Sequence, residues 1–201
     1  TLPSGLQLGM GVKAVGVQKI HTQGNMIITD NQLDIAVEGK GFFQVLDANG
    51  DMMYTRDGSF EVNQNGDMVT SSGYLLEPNI NIPQDTTEIS ITRDGAVFVS
   101  QPGNVQQQQV GQIDLATFIN PAGLEALGSN FYSETTASGV PNINNPQTAE
   151  AGSVLQGALE ASNVNTVEEL IGMIEAQRTY EMNSKAISAA DGMMQYLNNN
   201  T

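Results

Sequence analysis

Apolar and polar residues alternate in short runs between about residue 31 and residue 138. A period of two places the apolar side chains on one face of a β-strand. Turn-forming dipeptides separate the runs, and they tolerate the positive φ angles that tight hairpins need. This segment therefore predicts an antiparallel β meander or a small barrel. The clearest runs are residues 59–62, 80–82 and 89–92, and the dipeptides are Asn49-Gly50, Asp57-Gly58, Asn65-Gly66 and Asp94-Gly95.

One tetrapeptide occurs twice in this segment: Thr-Arg-Asp-Gly at residues 55–58 recurs at residues 92–95. A repeat protein would show more copies at a regular spacing. We interpret the two copies as two hairpins of the same kind.

After about residue 163 the apolar spacing changes to that of a helix. Asn165 is a typical N-cap residue, and Glu168 three residues later gives a pattern like a capping box. Glu168 and Glu169 also suit the positive end of a helix dipole. No proline interrupts the segment as far as about Leu197. It predicts one helix about 50 Å long, at about 1.5 Å per residue.

Apolar residues recur every seven positions along this helix and form a heptad seam. Each Met, Leu or Ile buried there would contribute roughly 1.5–3 kcal/mol. No second long helix is predicted, so the seam needs a partner, either other subunits or an N-terminal segment that this sequence lacks. The candidate polymerisation residues are Val167, Leu170, Ile171, Met173, Ile174, Tyr180, Asn183, Ile187, Ala190, Met194 and Leu197, and Ala176 fills a companion position of the seam. Another face carries Glu175, Arg178, Glu181 and Lys185 at spacings that permit ion pairs.

The segments that flank the β-rich region predict a stem. Residues 12–21 are rich in β-branched side chains, and residues 154–159 have the same character, so we expect these two strands to pair. Residues 139–152 carry two prolines and several Asn, which is typical of an exposed connector. The predicted division is an N-terminal connector and stem strand (1–30), a β-rich outer domain (31–138), a connector and returning stem strand (139–162) and a C-terminal axial helix (163–201). We expect the outer domain to fold without the residues after Gly152.

Composition and charge narrow the classes of function. The 201 residues include 22 Asp and Glu against 7 Lys and Arg, for a net charge of −15. A nucleic-acid-binding protein needs a basic surface that neutralises phosphates. An anionic membrane would repel the same acidic charge, and the sequence has no apolar run long enough for a membrane span. We therefore expect neither nucleic-acid binding nor direct membrane insertion.

Residues that could carry chemistry are sparse. Cysteine is absent and His21 is the single histidine, which excludes disulfides, thiolate and multi-histidine metal sites, and a conventional Ser-His-Asp triad elsewhere. Residues 47–51 resemble the start of a calcium loop, but Gly58 stands where the final glutamate would be, so a hairpin turn is the simpler interpretation. Glu168 and Glu169 point about 100° apart on a helix and do not form an acid–base pair. The sequence predicts no catalytic residue, no metal and no cofactor, and hence no enzyme.

One set of motifs lies between Gly39 and Phe60, and a second lies between Asn163 and Lys185. The two sets resemble the bacterial flagellar rod and hook protein family, and together they cover most of the chain. Residues 2–7 resemble a segment typical of the family's distal-rod branch. The short β-rich region also favours a rod component, since hook components carry larger outer domains. The motif residues are Gly39, Gly41, Phe42, Phe43, Tyr54, Thr55, Arg56, Asp57, Gly58 and Phe60, then Asn163, Asn165, Glu168, Glu169, Gln177, Arg178, Glu181 and Lys185.

The resemblance implies an outer β domain, a β stem and an axial helix that packs in a polymer. It implies a structural subunit of the basal-body distal rod, which polymerises into a hollow tubular drive shaft and transmits torque from proximal rod to hook. Flagellar type III export and a position spanning the periplasm are also implied. The implied partners are copies of the chain, proximal rod and hook or hook-junction proteins, and the surrounding outer-membrane and peptidoglycan ring proteins. The family's N-terminal helix, with its Asn-rich motif, is expected to lie outside this sequence.

Two alternatives stay open from the sequence. Within the family, the alternative is a proximal rod or hook protein. From a different class, the alternative is an extracytoplasmic glycan-binding β module, which needs an exposed aromatic platform. The six Phe and five Tyr fall mostly at alternating positions typical of a core, and this disfavours the second alternative.

Overall fold

A computed structural model describes residues 13, 15–16, 18–103, 106–148 and 150–199 of the chain. Two compact units divide the chain, Thr1–Glu160 and Ala161–Thr201. The first unit contains the β-strands and the second contains a long helix, so the predicted fold class, mainly β with a long C-terminal helix, is confirmed. Residues 2–7, which carry part of the family resemblance, lie outside the described residues.

The strands of the first unit are short, three to five residues each. Among the described residues, the first unit also contains one 3-10 helical turn, Pro121–Gly123. In chain order the strands are β1 (Met26–Ile28), β2 (Ile35–Glu38), β3 (Phe42–Leu46), β4 (Met52–Thr55), β5 (Phe60–Val62), β6 (Met68–Thr70), β7 (Leu75–Glu77), β8 (Glu88–Ile91), β9 (Ala96–Ser100), β10 (Gln108–Gln112), β11 (Leu115–Thr117), β12 (Glu125–Gly128), β13 (Phe131–Ser133), β14 (Asn142–Asn144), β15 (Ser153–Gln156) and β16 (Ala158–Glu160).

Most of these strands form one antiparallel sheet in the order β12-β13-β4-β3-β7-β6-β5, and β11 pairs with both β3 and β14. Strand β3 lies at its centre, where Val45 is opposite Met53 of β4 and Leu76 of β7. A second sheet has the order β10-β9-β8, and two ribbons pair β15 with β2 and β1 with β16. Among the described strands each order ends at open edges, so the alternative of a small closed barrel does not form. Consecutive strands are neighbours only in parts of the main sheet, such as β5-β6-β7 and β3-β4, so the predicted meander is only partial.

The core of the first unit follows from the period-two alternation. Phe42 and Phe43 are neighbours on β3 and point to opposite faces of the sheet. The ring of Phe43 meets the ring of Phe60 edge to face, with centroids 5.2 Å apart, inside the main apolar cluster. Phe42 belongs to a second, smaller cluster with Tyr54 and Leu124. Fully burying one such side chain contributes roughly 1.5–3 kcal/mol, so the unit carries its own core.

Three of the four predicted hairpin turns are confirmed. Gly50 joins β3 to β4, Gly66 joins β5 to β6 and Gly95 joins β8 to β9. Their φ angles are +89°, +91° and +86°. In each turn the glycine N–H donates to the carbonyl three residues earlier, at 2.9, 3.0 and 2.9 Å. These turns need a residue that tolerates the left-handed region, which glycine does.

The fourth dipeptide, Asp57-Gly58, forms a corner between β4 and β5, so the prediction of two hairpins of the same kind is wrong. The two strands do not pair with each other in the sheet order. The N–H of Ile35 donates to the carbonyl of Gly58 at 3.0 Å. A Cβ at Gly58 would lie 1.6 Å from the carbonyl oxygen of Ile35. Glycine is required here for the close approach of two backbones rather than for its φ angle.

The predicted pairing of residues 12–21 with residues 154–159 is also wrong. Strand β15 pairs with β2, and β16 pairs with β1. Gly157, at φ +74°, stands between β15 and β16. The described residues among 12–21 belong to no strand. Strand β15 pairs with β2 because this pairing buries Val154, which is 1% exposed and packs in the same cluster as Ile35 and Val37. Strands β14, β15 and β16 lie in the segment predicted as connector and stem, so the first unit uses residues beyond Gly152.

Candidate functional site

The helix of the second unit, α1, spans Thr166–Asn199. The side-chain oxygen of Asn165 accepts a hydrogen bond from the backbone N–H of Val167 at 3.2 Å, so the predicted N-cap is confirmed. Glu168 and Glu169 lie in the first turn, where carboxylates are stabilised by the helix dipole. The helix runs without interruption past the predicted end near Leu197.

The apolar side chains of α1 are exposed to solvent. Its large apolar side chains range from 49% exposed at Ile174 to 77% exposed at Tyr180. The side chains of Met194 and Leu197 lie outside the described part of the structure. Contiguous exposed apolar surface of this extent is typical of a protein–protein interface. The helix is therefore the candidate assembly surface of the chain.

At about 100° per residue, α1 carries these apolar side chains on two faces. We call them the seam face and the reverse face, and their centres lie roughly 160° apart around the helix axis. The seam face consists of the apolar residues Met173, Ala176, Tyr180, Ile187 and Ala190, together with the polar Asn183. The reverse face consists of Val167, Ile171, Ile174, Met182, Ala189, Met193 and Tyr196.

The helix does not bring all the predicted polymerisation residues together. Val167, Ile171 and Ile174 lie on the reverse face, away from the centre of the seam face, and Leu170 lies between the two faces. The predicted set thus combines the seam with the first turns of the reverse face.

Sequence reasoning missed the C-terminal half of the reverse face. It consists of Met182, Ala189, Met193 and Tyr196, all of them exposed. Their spacings of seven, four and three residues were a usable signal, because they continue the row that Val167, Ile171 and Ile174 begin.

The seam face of α1 is acidic, whereas acidic and basic side chains are mixed on the reverse face. Glu169 and Asp191 lie on the seam face. Both basic residues of the helix, Arg178 and Lys185, lie on the reverse face, flanked by Glu175 and Glu181. The spacing permits ion pairs within the helix, but the single ion pair among the described residues joins Arg56 to Glu160. Arg178 and Lys185 are thus not neutralised by a described carboxylate within 4 Å.

Arg56 is the centre of the motif set in the first unit. Its Nε and Nη2 both lie 2.9 Å from a carboxylate oxygen of Glu160. Its Nη1 donates to the carbonyls of Gly39 and Gly41 at 2.9 and 2.8 Å. Glu160 also accepts a hydrogen bond from the N–H of Gly24 at 2.8 Å. Sequence reasoning missed Glu160, because no local pattern connects it to a residue 104 positions away.

The neighbours of Arg56 in the motif shape the corner after β4. The Thr55 hydroxyl accepts a hydrogen bond from the N–H of Asp57 at 3.1 Å. The Asp57 carboxylate accepts from the N–H and the hydroxyl of Ser59 at 3.1 and 2.9 Å. Burial, the negative charge of Glu134 and its hydrogen bond raise the pKa of Tyr54 to about 12. These residues stabilise the first unit and do not converge on a reaction centre.

His21 packs against aromatic rings in the first unit. Its ring lies edge to face with Phe42 and Tyr132, at centroid distances of 5.9 and 5.5 Å. Burial lowers the pKa of His21, and the positive charges of Lys19 and Arg56 lower it further. A cavity of about 240 Å³ adjoins His21 and Arg56. The guanidinium there is already held by Glu160 and backbone carbonyls, so it offers little to a ligand.

Residues 47–51, interpreted from the sequence as a hairpin turn rather than a calcium loop, form the hairpin turn between β3 and β4. The N–H of Asp47 donates to the carbonyl of Asp51 at 2.9 Å, and the Asn49 amide donates to the Asp47 carboxylate at 2.9 Å. Nowhere in the described ranges do three or more His, Asp or Glu side chains gather as metal ligands would. The same ranges contain no helix with the length and apolar character to cross a bilayer.

Two family models match the chain. One is described as the flagellar hook protein FlgE/F/G D1 domain and matches residues 36–99. The other is described as the flagellar basal body rod FlgEFG protein C-terminal and matches residues 155–200. The first match covers the Arg56 motif, and the second covers α1.

Curated relatives match over nearly the whole chain. The flagellar basal-body rod protein FlgG of Buchnera aphidicola (subspecies Acyrthosiphon pisum) is 52% identical over 197 residues, which is 98% of this chain and 76% of that protein. FlgG of Caulobacter vibrioides is 48% identical over 194 residues, 96% of this chain and 74% of that protein. FlgG of Bacillus subtilis is 38% identical over 199 residues, with 96% and 74% covered.

Proposed function

The chain belongs to the family of flagellar basal-body rod and hook proteins, and from this premise we propose that α1 is the element through which its copies polymerise. The chain is a structural subunit of the basal-body distal rod. In the proposal, the helices of many copies form the inner layer of a hollow tubular shaft. The mechanism is assembly, and no catalytic step is part of it.

The observation that carries the proposal is the exposure of the large apolar side chains along the 34 residues of α1. In the free chain these side chains gain nothing from burial. Each one that becomes buried between subunits contributes roughly 1.5–3 kcal/mol. The same contact recurs at every subunit, so a moderate gain per side chain suffices for a stable polymer. Heterologous contacts that repeat without closing a ring generate a helical assembly.

The acidic charge of the subunit opposes this assembly. Each copy carries a net charge of −15. Physiological salt screens exposed charges over about 8 Å, which removes most of the repulsion between distant charges. Close contacts then depend on local patches of opposite sign.

The wider role follows from family membership. We propose that the shaft transmits torque from the proximal rod to the hook. It would span the periplasm after type III export, inside the peptidoglycan and outer-membrane rings. Its partners would be further copies of the chain, the proximal rod proteins and the hook or hook-junction proteins.

The glycan-binding alternative lacks an exposed aromatic platform in the first unit. All six Phe are buried or half-buried. The two exposed Tyr side chains, Tyr180 and Tyr196, lie on α1. An exposed aromatic platform is the feature that this alternative requires, so the described surface of the first unit supports it poorly.

The substitution Ile187→Asp tests the proposal in the full-length protein. It places a carboxylate on the seam face, where an unpaired buried charge costs several kcal/mol per subunit after relaxation. Cells that carry it should produce and export the protein but assemble no hook and fail to swim. The matched control is Ser188→Asp, which adds the same charge about 100° around the helix and should leave swimming intact. Normal swimming with Ile187→Asp would overturn the proposal.

A further inference from the structure

We infer that the Arg56–Glu160 pair is a mechanical joint, through which force applied to α1 enters the central strands of the first unit. The inference rests on the proposed function, in which α1 carries the contacts between copies and the shaft transmits torque. It assigns a further role to two residues of the first unit. It does not depend on what covers the helix.

The position of Glu160 places it where force on α1 enters the first unit. Glu160 is the last residue of β16 and the last residue of that unit. Residues 161–165 separate it from α1, which begins at Thr166. Force on α1 is therefore delivered along the backbone to Glu160.

Strand β16, which receives this force, has few partners of its own. Among the described strands it pairs with β1, over three residue pairs, and the outermost pair joins Met26 to Glu160. Beyond the ribbon, the N–H of Gly157 donates to the carbonyl of Asp34 at 2.8 Å, and Ala158 is buried. A pull on Glu160 acts at the end of the ribbon, so its hydrogen bonds would break one after another. Two short strands are a weak anchor by themselves.

Arg56 fastens the end of this ribbon to the main sheet. Its Nε and Nη2 lie 2.9 Å from Oε2 of Glu160, and the N–H of Gly24 donates to Oε1 at 2.8 Å. Its Nη1 donates to the carbonyls of Gly39 and Gly41, in the bend that leads into β3, at 2.9 and 2.8 Å. Arg56 directly follows β4, which is the sheet neighbour of β3. Force on Glu160 thus passes to β3 and β4 without crossing the ribbon.

The chemistry and the burial of the pair make this connection strong. Hydrogen bonds between a guanidinium and a carboxylate are charge-assisted and roughly twice as strong as neutral ones. The side chains of Arg56 and Glu160 are 23% and 11% exposed, so water screens the pair less than it screens a surface ion pair. The guanidinium is planar and donates in several directions at once. A pull on the joint must therefore break several strong hydrogen bonds together.

The second copy of the tetrapeptide shows that a turn does not require this network. Residues 92–95 form a hairpin turn, and Arg93 is exposed and takes part in no described ion pair. The single described ion pair of the chain lies instead at Glu160, where the backbone leaves for α1. Position on the path of the force is what distinguishes Arg56 from Arg93.

Force spectroscopy of the full-length protein tests the inference, because the direction of the pull can be chosen. The chain has no cysteine, so two introduced cysteines fix the attachment points. Ala48→Cys with Val164→Cys pulls through Glu160. Ala48→Cys with Asp85→Cys pulls the first unit along a path that avoids Glu160, and all three substituted residues are exposed. Arg56→Lys should lose a large fraction of the unfolding force in the first direction and a much smaller fraction in the second.

The second direction is the control for a general loss of stability, because it reports on the same variant. Glu160→Gln removes the charge and keeps the shape of the side chain, so it should show the same dependence on direction. Arg93→Lys should leave the unfolding force unchanged in both directions. Equal losses in the two directions for Arg56→Lys and Glu160→Gln would mean that the pair only stabilises the fold, and would overturn the inference.

Cells provide a second readout, since a viscous medium raises the torque on the flagellum. Cells with Arg56→Lys should still assemble rod and hook, because α1 is unchanged, but should lose swimming or shed flagella as viscosity rises. Cells with Arg93→Lys should swim like the wild type. Wild-type swimming of Arg56→Lys at every viscosity would overturn the inference. Failure of the proposed function is a separate result, because Ile187→Asp tests it through the presence or absence of a hook.

Discussion

At the scale of single residues, the first unit depends on side chains and glycines whose partners are distant in sequence. Arg56 binds Glu160 and the carbonyls of Gly39 and Gly41, and so connects the bend before β3 to the last strand. Gly58 lets the backbone of Ile35 pass at contact distance. The local sequence does not predict the roles of Arg56 and Gly58. The same tetrapeptide, Thr-Arg-Asp-Gly, occurs again at residues 92–95, where it forms an ordinary hairpin turn at Gly95.

Gly58→Ala should lower the free energy of unfolding by more than about 3 kcal/mol, since a backbone must move to accept the new Cβ. The control is Gly50→Ala, where no atom lies within 4 Å and the cost is that of the left-handed φ angle alone. That cost is about 1 kcal/mol. Urea denaturation of the two variants measures the difference. Equal losses would contradict the close approach at Gly58.

Arg56→Lys should lower the free energy of unfolding by on the order of 2 kcal/mol, because an ammonium cannot replace the fork that binds one carboxylate and two carbonyls. Its match is Arg93→Lys, at the equivalent position of the second tetrapeptide, where the side chain is exposed. This control should leave the free energy of unfolding unchanged in the same thermal and urea unfolding measurements. If Arg56→Lys left the free energy of unfolding unchanged, the hydrogen bonds and ion pair around Glu160 would contribute little to stability.

At the scale of elements, the patterns that repeat locally were predictable and the pairing of distant strands was not. The start of α1 at Asn165 and the hairpins at Gly50, Gly66 and Gly95 each depend on a few adjacent residues. The partner of β15 depends on which strand leaves a gap in the core that Val154 fills. The similar β-branched character of residues 12–21 and 154–159 did not identify the strand that pairs with β15. The same limit applies to the reverse face, whose second half is visible only when the whole helix is traced.

Truncation tests where the first unit ends, which the contacts place at Glu160. A chain that ends at Glu160 keeps β15, β16 and the ion pair with Arg56, so it should melt cooperatively with a melting temperature close to that of the full chain. A chain that ends at Gly152 loses the strand that covers β2 and exposes the site of Val154. It should lose cooperative melting and the dispersion of its amide signals. If the shorter chain melts like the longer one, β15 is not part of the core.

At the scale of the whole molecule, the chain combines a unit that carries its own core with a helix that does not. The β unit buries Phe43, Phe60 and their neighbours within itself. The helix exposes two apolar faces and has no described ion pair of its own. A helix of this kind gains most of its stability from packing rather than from propensity. The account therefore predicts that assembly changes α1 far more than it changes the β unit.

Hydrogen exchange of the full-length protein, measured before and after assembly, tests this claim most directly. In the unassembled protein, the amides of α1 should exchange much faster than the core strands of the first unit, because exposed helices open locally at low cost. After assembly, the amides from Thr166 to about Tyr196 should become strongly protected while those of β3, β4 and β7 change little. Protection that arises mainly in the β unit, with α1 still exchanging quickly, would contradict the account.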